Sequence, residues 1–133
     1  MLKTILSIVI ILHGLIHIWY LLLLSKVVRY IPEMGWSGES WLVSGSSEII
    51  WIRYTGIILY SLTCFLFVSS GISLMSNSSM TANLLNISAI LSSVLIIFFF
   101  DGRFDMLIQK GFVGLIINVM IIFLVNVFPD KVI

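Results

Sequence analysis

The stretch TILSIVIILHGLIHIWYLLLL, residues 4–24, carries no Asp, Glu, Lys or Arg. At about 1.5 Å per residue a helix of this length crosses a hydrocarbon core of about 30 Å. It therefore reads as a membrane-spanning first helix. A cleaved signal peptide is the alternative that Lys3 ahead of an apolar run suggests, but the run is too long and no small-residue cleavage site follows Leu24. The expectation is a retained helix.

The rest of the chain has the same character. Of 133 residues, 60% are hydrophobic and 10% charged, and mean hydropathy is +1.19. That is far more apolar surface than one small soluble core could bury, so the chain needs lipid around it. The charges gather in clusters between long uncharged runs. A second span is predicted over 49–73, beginning near Glu48 and closing in Ser69-Ser70-Gly71 ahead of the polar turn Met75-Ser76-Asn77-Ser78-Ser79. A third runs over 83–100 and stops at Phe98-Phe99-Phe100 before Asp101, and a fourth over 111–128 stops at Pro129. The expected fold is an all-α, antiparallel four-helix membrane bundle, one domain over 1–133, with spans at about 3–24, 49–73, 83–100 and 111–128. The connection 25–47 holds Pro32, three glycines and the pair Trp36 and Trp41. It reads as an interfacial loop whose indoles sit in the headgroup layer.

Four spans put Lys3 and Lys131 on one side and Lys26, Arg29, Arg53, Arg103 and Lys110 on the other. The positive-inside rule then places both termini outside the cytoplasm. A net charge of +1 supplies no basic stripe for nucleic acid, so membrane lipids are the expected surroundings, with a homodimer or a larger membrane complex left open. The single cysteine, Cys64, makes no intrachain disulfide and reads as a small core residue.

His13 and His17 are the sharpest chemical feature. Four residues apart, they share one helix face about 6 Å from turn to turn. Ionisable groups at membrane depth are costly and face the bundle interior, where they serve a function or hydrogen-bond a neighbouring helix, and Gly14 between them suits close packing equally well. His17 lies roughly 10 Å from the cytoplasmic end of its helix and Arg53 about 7 Å in from the same side. Asp101 and Arg103 close the third helix there, so one polar cluster of His17, Arg53, Asp101 and Arg103, with Glu48 at its rim, is a candidate site. The bland alternative is a snorkelling arginine and solvated aspartates. Ser88 and Ser92 on the third helix and Gly111, Gly114 and Asn118 on the fourth mark packing faces, with Asn118 pointing inward; Ser92 and Asn118 satisfy partners across helices or line a polar cavity.

No cofactor is called for. Two histidines on one helix face are not both axial to one haem iron. Imidazoles at i and i+4 do converge on a metal, but a third ligand at that depth is not evident. No zinc-hydrolase helix, nucleophile elbow or phosphate loop occurs.

The segment His13-Gly14-Leu15-Ile16-His17, with Ser40-Trp41-Leu42 before the second helix and Asp101-Gly102-Arg103-Phe104 after the third, resembles a family of small four-helix prokaryotic membrane proteins of uncharacterised function. Asp105 departs from the pattern, standing where a small residue is expected. The resemblance implies the four-helix fold and a prokaryotic cell membrane, and it supplies no activity. Three function classes follow from the residues. The first is a non-enzymatic component, either an accessory subunit or a binder of a small hydrophobic molecule, with the histidines at the polar end of an interior cavity. The second is an oligomeric transporter or proton-linked channel in which His17 titrates. The third is an intramembrane enzyme acting on a lipid or quinone, with a histidine as general base and Arg53 holding an anionic headgroup.

Overall fold

Four helices follow one another in the computed structural model: α1 Leu2–Leu24, α2 Ile50–Met75, α3 Thr81–Phe98 and α4 Phe112–Val127, with a 3-10 turn at Pro32–Met34. The structure describes residues 1–43 and 45–129, the side chain of Leu2 excepted; Lys131, which enters the charge count, lies outside them. Among the described residues no strand forms, and the fold is an all-α four-helix bundle. Helices α1, α2 and α3 are long and apolar enough to cross a membrane, whereas α4, at 16 residues, is shorter. The predicted spans agree with these limits to within two residues at every end.

Neighbouring helices run antiparallel. On α1 and α2 the matched positions are Ser7 with Gly71, Gly14 with Phe67, and Leu24 with Gly56. A Cβ added at Gly14 would stand 2.6 Å from Phe67 Cβ, so the absence of a side chain is what lets the two backbones meet. Helices α2 and α3 pair Ser73 with Thr81 at one end (Oγ to Oγ1, 2.8 Å) and Tyr60 with Phe99 towards the other. Helices α3 and α4 pair Asn86 with Asn126 and Ser92 with Asn118. A bond from His13 to Asn118 closes the ring between α1 and α4.

The turns follow from local chemistry. Helix α2 stops where Asn77 takes a left-handed conformation, φ 51°, and the Ser78 N–H returns to the Ser73 carbonyl at 3.1 Å. Helix α4 starts after Gly111 at φ 92°, a backbone region in which a side chain would be strained.

Two apolar clusters fill the interior. One, at the end carrying the 25–47 connection, contains Tyr20, Leu24, Trp36, Tyr60, Leu95 and Phe99. The other contains Ile10, Phe67, Leu74, Leu85, Ala89 and Val125. Here the structure corrects the reading of the connection. Trp36 is 2% exposed and packs edge-on against Tyr20, with ring centroids 4.8 Å apart, instead of lying in a headgroup layer. The reason is geometric: left-handed Gly35 and Gly38 fold the segment back under the helix ends, and the aromatic rings there bury the indole. Trp41 does face outward, its indole N–H donating to the Ile97 carbonyl at 3.0 Å and its backbone N–H to that of Phe100 at 2.7 Å. The connection thereby caps the last turn of α3.

Candidate functional site

Between the two apolar clusters lies a polar layer. His13 and His17 point into it from α1, Ser92 from α3 and Asn118 from α4, and all four are buried. Their contacts form one chain. His17 Nδ1 lies 3.2 Å from the His13 carbonyl and 3.3 Å from that of Gly14, and its Nε2 lies 2.8 Å from Ser92 Oγ. Asn118 Nδ2 is 2.8 Å from the same hydroxyl, and Asn118 Oδ1 is 2.9 Å from His13 Nε2.

The proton positions follow from these partners. Carbonyl oxygens only accept, so His17 Nδ1 carries the proton and its Nε2 accepts from the Ser92 hydroxyl. Ser92 Oγ then accepts from the Asn118 amide, which turns Oδ1 towards His13, and His13 donates through Nε2–H. The two neutral histidines are thus opposite tautomers. His13 Nδ1, left with a bare lone pair, is buried with no hydrogen-bond partner among the described residues. The rings of His13 and His17 stand edge to face with centroids 5.6 Å apart, and Phe67 packs against both.

The residues singled out in the sequence therefore divide. His13, His17, Ser92 and Asn118 come together. Arg53, Asp101 and Arg103 do not join them, and Glu48 pairs elsewhere, with Lys26 at 3.3 Å. The aromatic cluster of Tyr20, Trp36, Tyr60 and Phe99 fills the bundle between the histidines and that end. Arg53 is partly buried, its guanidinium 5.6 Å from the Tyr54 ring centroid. Arg103 is exposed.

Asp101 belongs to a second cluster that the sequence reading missed. Lys110 is 4% exposed, and its Nζ sits 3.0 Å from Asp101 Oδ1, 2.7 Å from Asp105 Oδ1 and 3.1 Å from the Arg103 carbonyl. Burial pulls the Lys110 ammonium down, but the hydrogen bonds and charges of Asp105 and Asp101 outweigh it and lift its pKa above the usual lysine value. The hydrogen bond from Lys110 holds the Asp105 carboxyl below the ordinary carboxylate range. The only signal in the sequence was the density of charge over 101–110; a burial that depends on the fold of a loop leaves no periodicity.

Lys110 also lines a half-open groove of about 480 Å³, with Trp41, Phe100, Phe104 and Phe112 as its aromatic walls. A second groove, about 310 Å³, runs between α2 and α3 past Gly56, Leu59, Leu95 and Phe99. Among the described residues no three His, Cys, Asp or Glu side chains gather to hold a metal. A metal shared by His13 and His17 through one nitrogen of each ring would take His13 Nδ1, which has no partner among the described residues, and displace one of the two His17 contacts. Comparison with protein-family models, with curated proteins and with solved structures finds no match to this chain.

Proposed function

We propose that this chain is a non-enzymatic multi-pass membrane protein that binds a small hydrophobic molecule, and that its histidines hold helices together. The observation that carries the reading is the occupied state of the imidazoles. Three of their four nitrogens are spent on Asn118, Ser92 and backbone carbonyls inside the bundle, and the fourth, the bare His13 Nδ1, is buried and lines neither groove, so a substrate held in either groove does not meet it. A proton path through the same layer would have to pass the Asn118 amide, a group that does not titrate. The ligand is better accommodated in the groove beside Lys110, whose volume of about 480 Å³ falls in the range of small-molecule sites. All three Lys110 protons face oxygen partners, so this groove favours a hydrocarbon or aromatic body over a hydrogen-bonding head.

The membrane placement that accompanies this reading has four crossings, with Lys26, Arg53, Arg103 and Lys110 at the cytoplasmic end. Helix α4 is about 24 Å long by its residue count, and a short span is accommodated by local thinning of the bilayer. The likeness to the small prokaryotic HGLIH-type proteins supports a prokaryotic cell membrane and adds no activity.

Native mass spectrometry of the gently solubilised protein tests the proposal. The parent should retain a hydrophobic species that Leu107→Trp, which fills the groove, expels without loss of folding. His17→Ala should lower stability while its folded fraction keeps the species. Loss of the species from a well-folded His17→Ala protein would instead make the histidines a binding site, and an empty parent accompanied by co-purifying subunits would favour an accessory role.

A further inference from the structure

Among the described residues, Arg53 is a half-buried cation of the bundle end whose guanidinium has no ion partner. Its Nε is buried with no hydrogen-bond partner, and among the described residues no carboxylate lies within ion-pair distance of its guanidinium. The acids of this end are committed elsewhere: Glu48 to Lys26, Glu39 to Ser46 and Ser47, and Asp101 and Asp105 to Lys110; Glu33 is exposed on its turn. A guanidinium has five N–H donors and always carries its charge, so one without a carboxylate partner is suited to take an anionic acceptor. Its flanks define the depth. Trp51 is 81% exposed and Tyr54 is exposed as well, and amphipathic rings of this kind sit at headgroup level. The exposed Arg29 adds positive field at the end of α1.

We infer that Arg53 holds the phosphate of an acidic phospholipid headgroup. The forked guanidinium matches two phosphate oxygens, and Trp51 and Tyr54 border the glycerol and upper acyl region. This site is separate from the groove beside Lys110.

The test is native mass spectrometry of the full chain in detergent, titrated with dioctanoyl phosphatidylglycerol against dioctanoyl phosphatidylcholine, with sodium phosphate as a competitor. The parent should retain the acidic lipid preferentially. Arg53→Gln should lower that preference about tenfold, the factor carried by one charge-assisted hydrogen bond. Arg103→Gln, which removes equal charge from the same end, should leave the preference intact. If Arg53→Gln does not fold, Arg53→Lys keeps the charge without the fork and should still weaken the preference. Equal retention by the Arg53 variants, or equal loss in Arg103→Gln, would overturn the inference. Competition by millimolar inorganic phosphate would overturn the lipid assignment in favour of a free-anion site.

Discussion

Because backbone carbonyls only accept, the contacts of His17 Nδ1 to the carbonyls of His13 and Gly14 set the direction of every bond from there to His13. Nitrogen NMR on ring-labelled protein should therefore find His17 protonated at Nδ1 and His13 at Nε2; two like tautomers would break the proposed order. Ser92 is the link whose loss is felt twice, since Ser92→Ala strips a partner from both His17 and Asn118. It should lower stability by about 1 to 2 kcal/mol, read from unfolding in mixed micelles. The face shared by His13 and His17 was legible from their spacing, as was the inward direction of Asn118, because a polar residue in the middle of an apolar helix is least costly on the side that meets other helices. Which hydroxyl lay opposite was not legible: Ser88 and Ser92 share a face, and only the register of α3 against α1 selects Ser92. Ser88 bonds instead to the carbonyl of Leu85 in its own helix.

At the scale of elements, two features carry the packing. The α1 and α2 backbones meet at Gly14 and Gly71, where an added Cβ would come within 3.3 Å of the Cys64 carbonyl and 2.9 Å of the Ser7 carbonyl, respectively. Gly14→Ala should cost about 1 to 3 kcal/mol through overpacking, and thermal unfolding in detergent should fall accordingly. The α3 to α4 connection depends on Lys110. Lys110→Met leaves Asp101 without its ion partner and should destabilise the protein by about 2 kcal/mol, less than a fully buried pair because Asp105 is largely exposed. The pH dependence has two edges. The depressed Asp105 value gives a contribution complete above the ordinary 3.8 and lost as pH falls through the lowered value. The raised Lys110 value gives one complete below the ordinary 10.5 and lost as pH climbs through the raised value. Hydrogen exchange over 101–110 should rise at both edges in the parent, and Lys110→Met should show neither edge. Trp36 belongs to this scale too. Composition places a tryptophan beside glycines at an interface, but two left-handed turns carry this one inside.

For the whole molecule, the order of α1 to α4 around the bundle puts Lys26, Arg53 and Lys110 at one end and the Lys3 to Asn77 hydrogen bond, 2.6 Å, at the other. If the membrane placement proposed above holds, a cysteine introduced at Asn77 should react with impermeant reagent from outside intact cells, and one at Arg29 only after lysis. The reverse pattern would invert the protein, and labelling of both positions from one side would remove the four-crossing arrangement.

Hydrophobic run length and the residues that interrupt it determined the number of helices, their limits to within a few residues and the inward face of α1, because these depend on local composition and on a period of 3.6. Tertiary structure alone decided which polar groups meet. His17 reaches Ser92 and not Arg53, since helix register brings α3 alongside it while a plug of four aromatic rings fills the end where Arg53 stands. Asp101 turns to Lys110 and not towards the histidines, since the loop between α3 and α4 folds the lysine back under its own acidic residues. Such pairings join positions up to 105 residues apart, as for His13 and Asn118, and no local pattern encodes a contact at that separation.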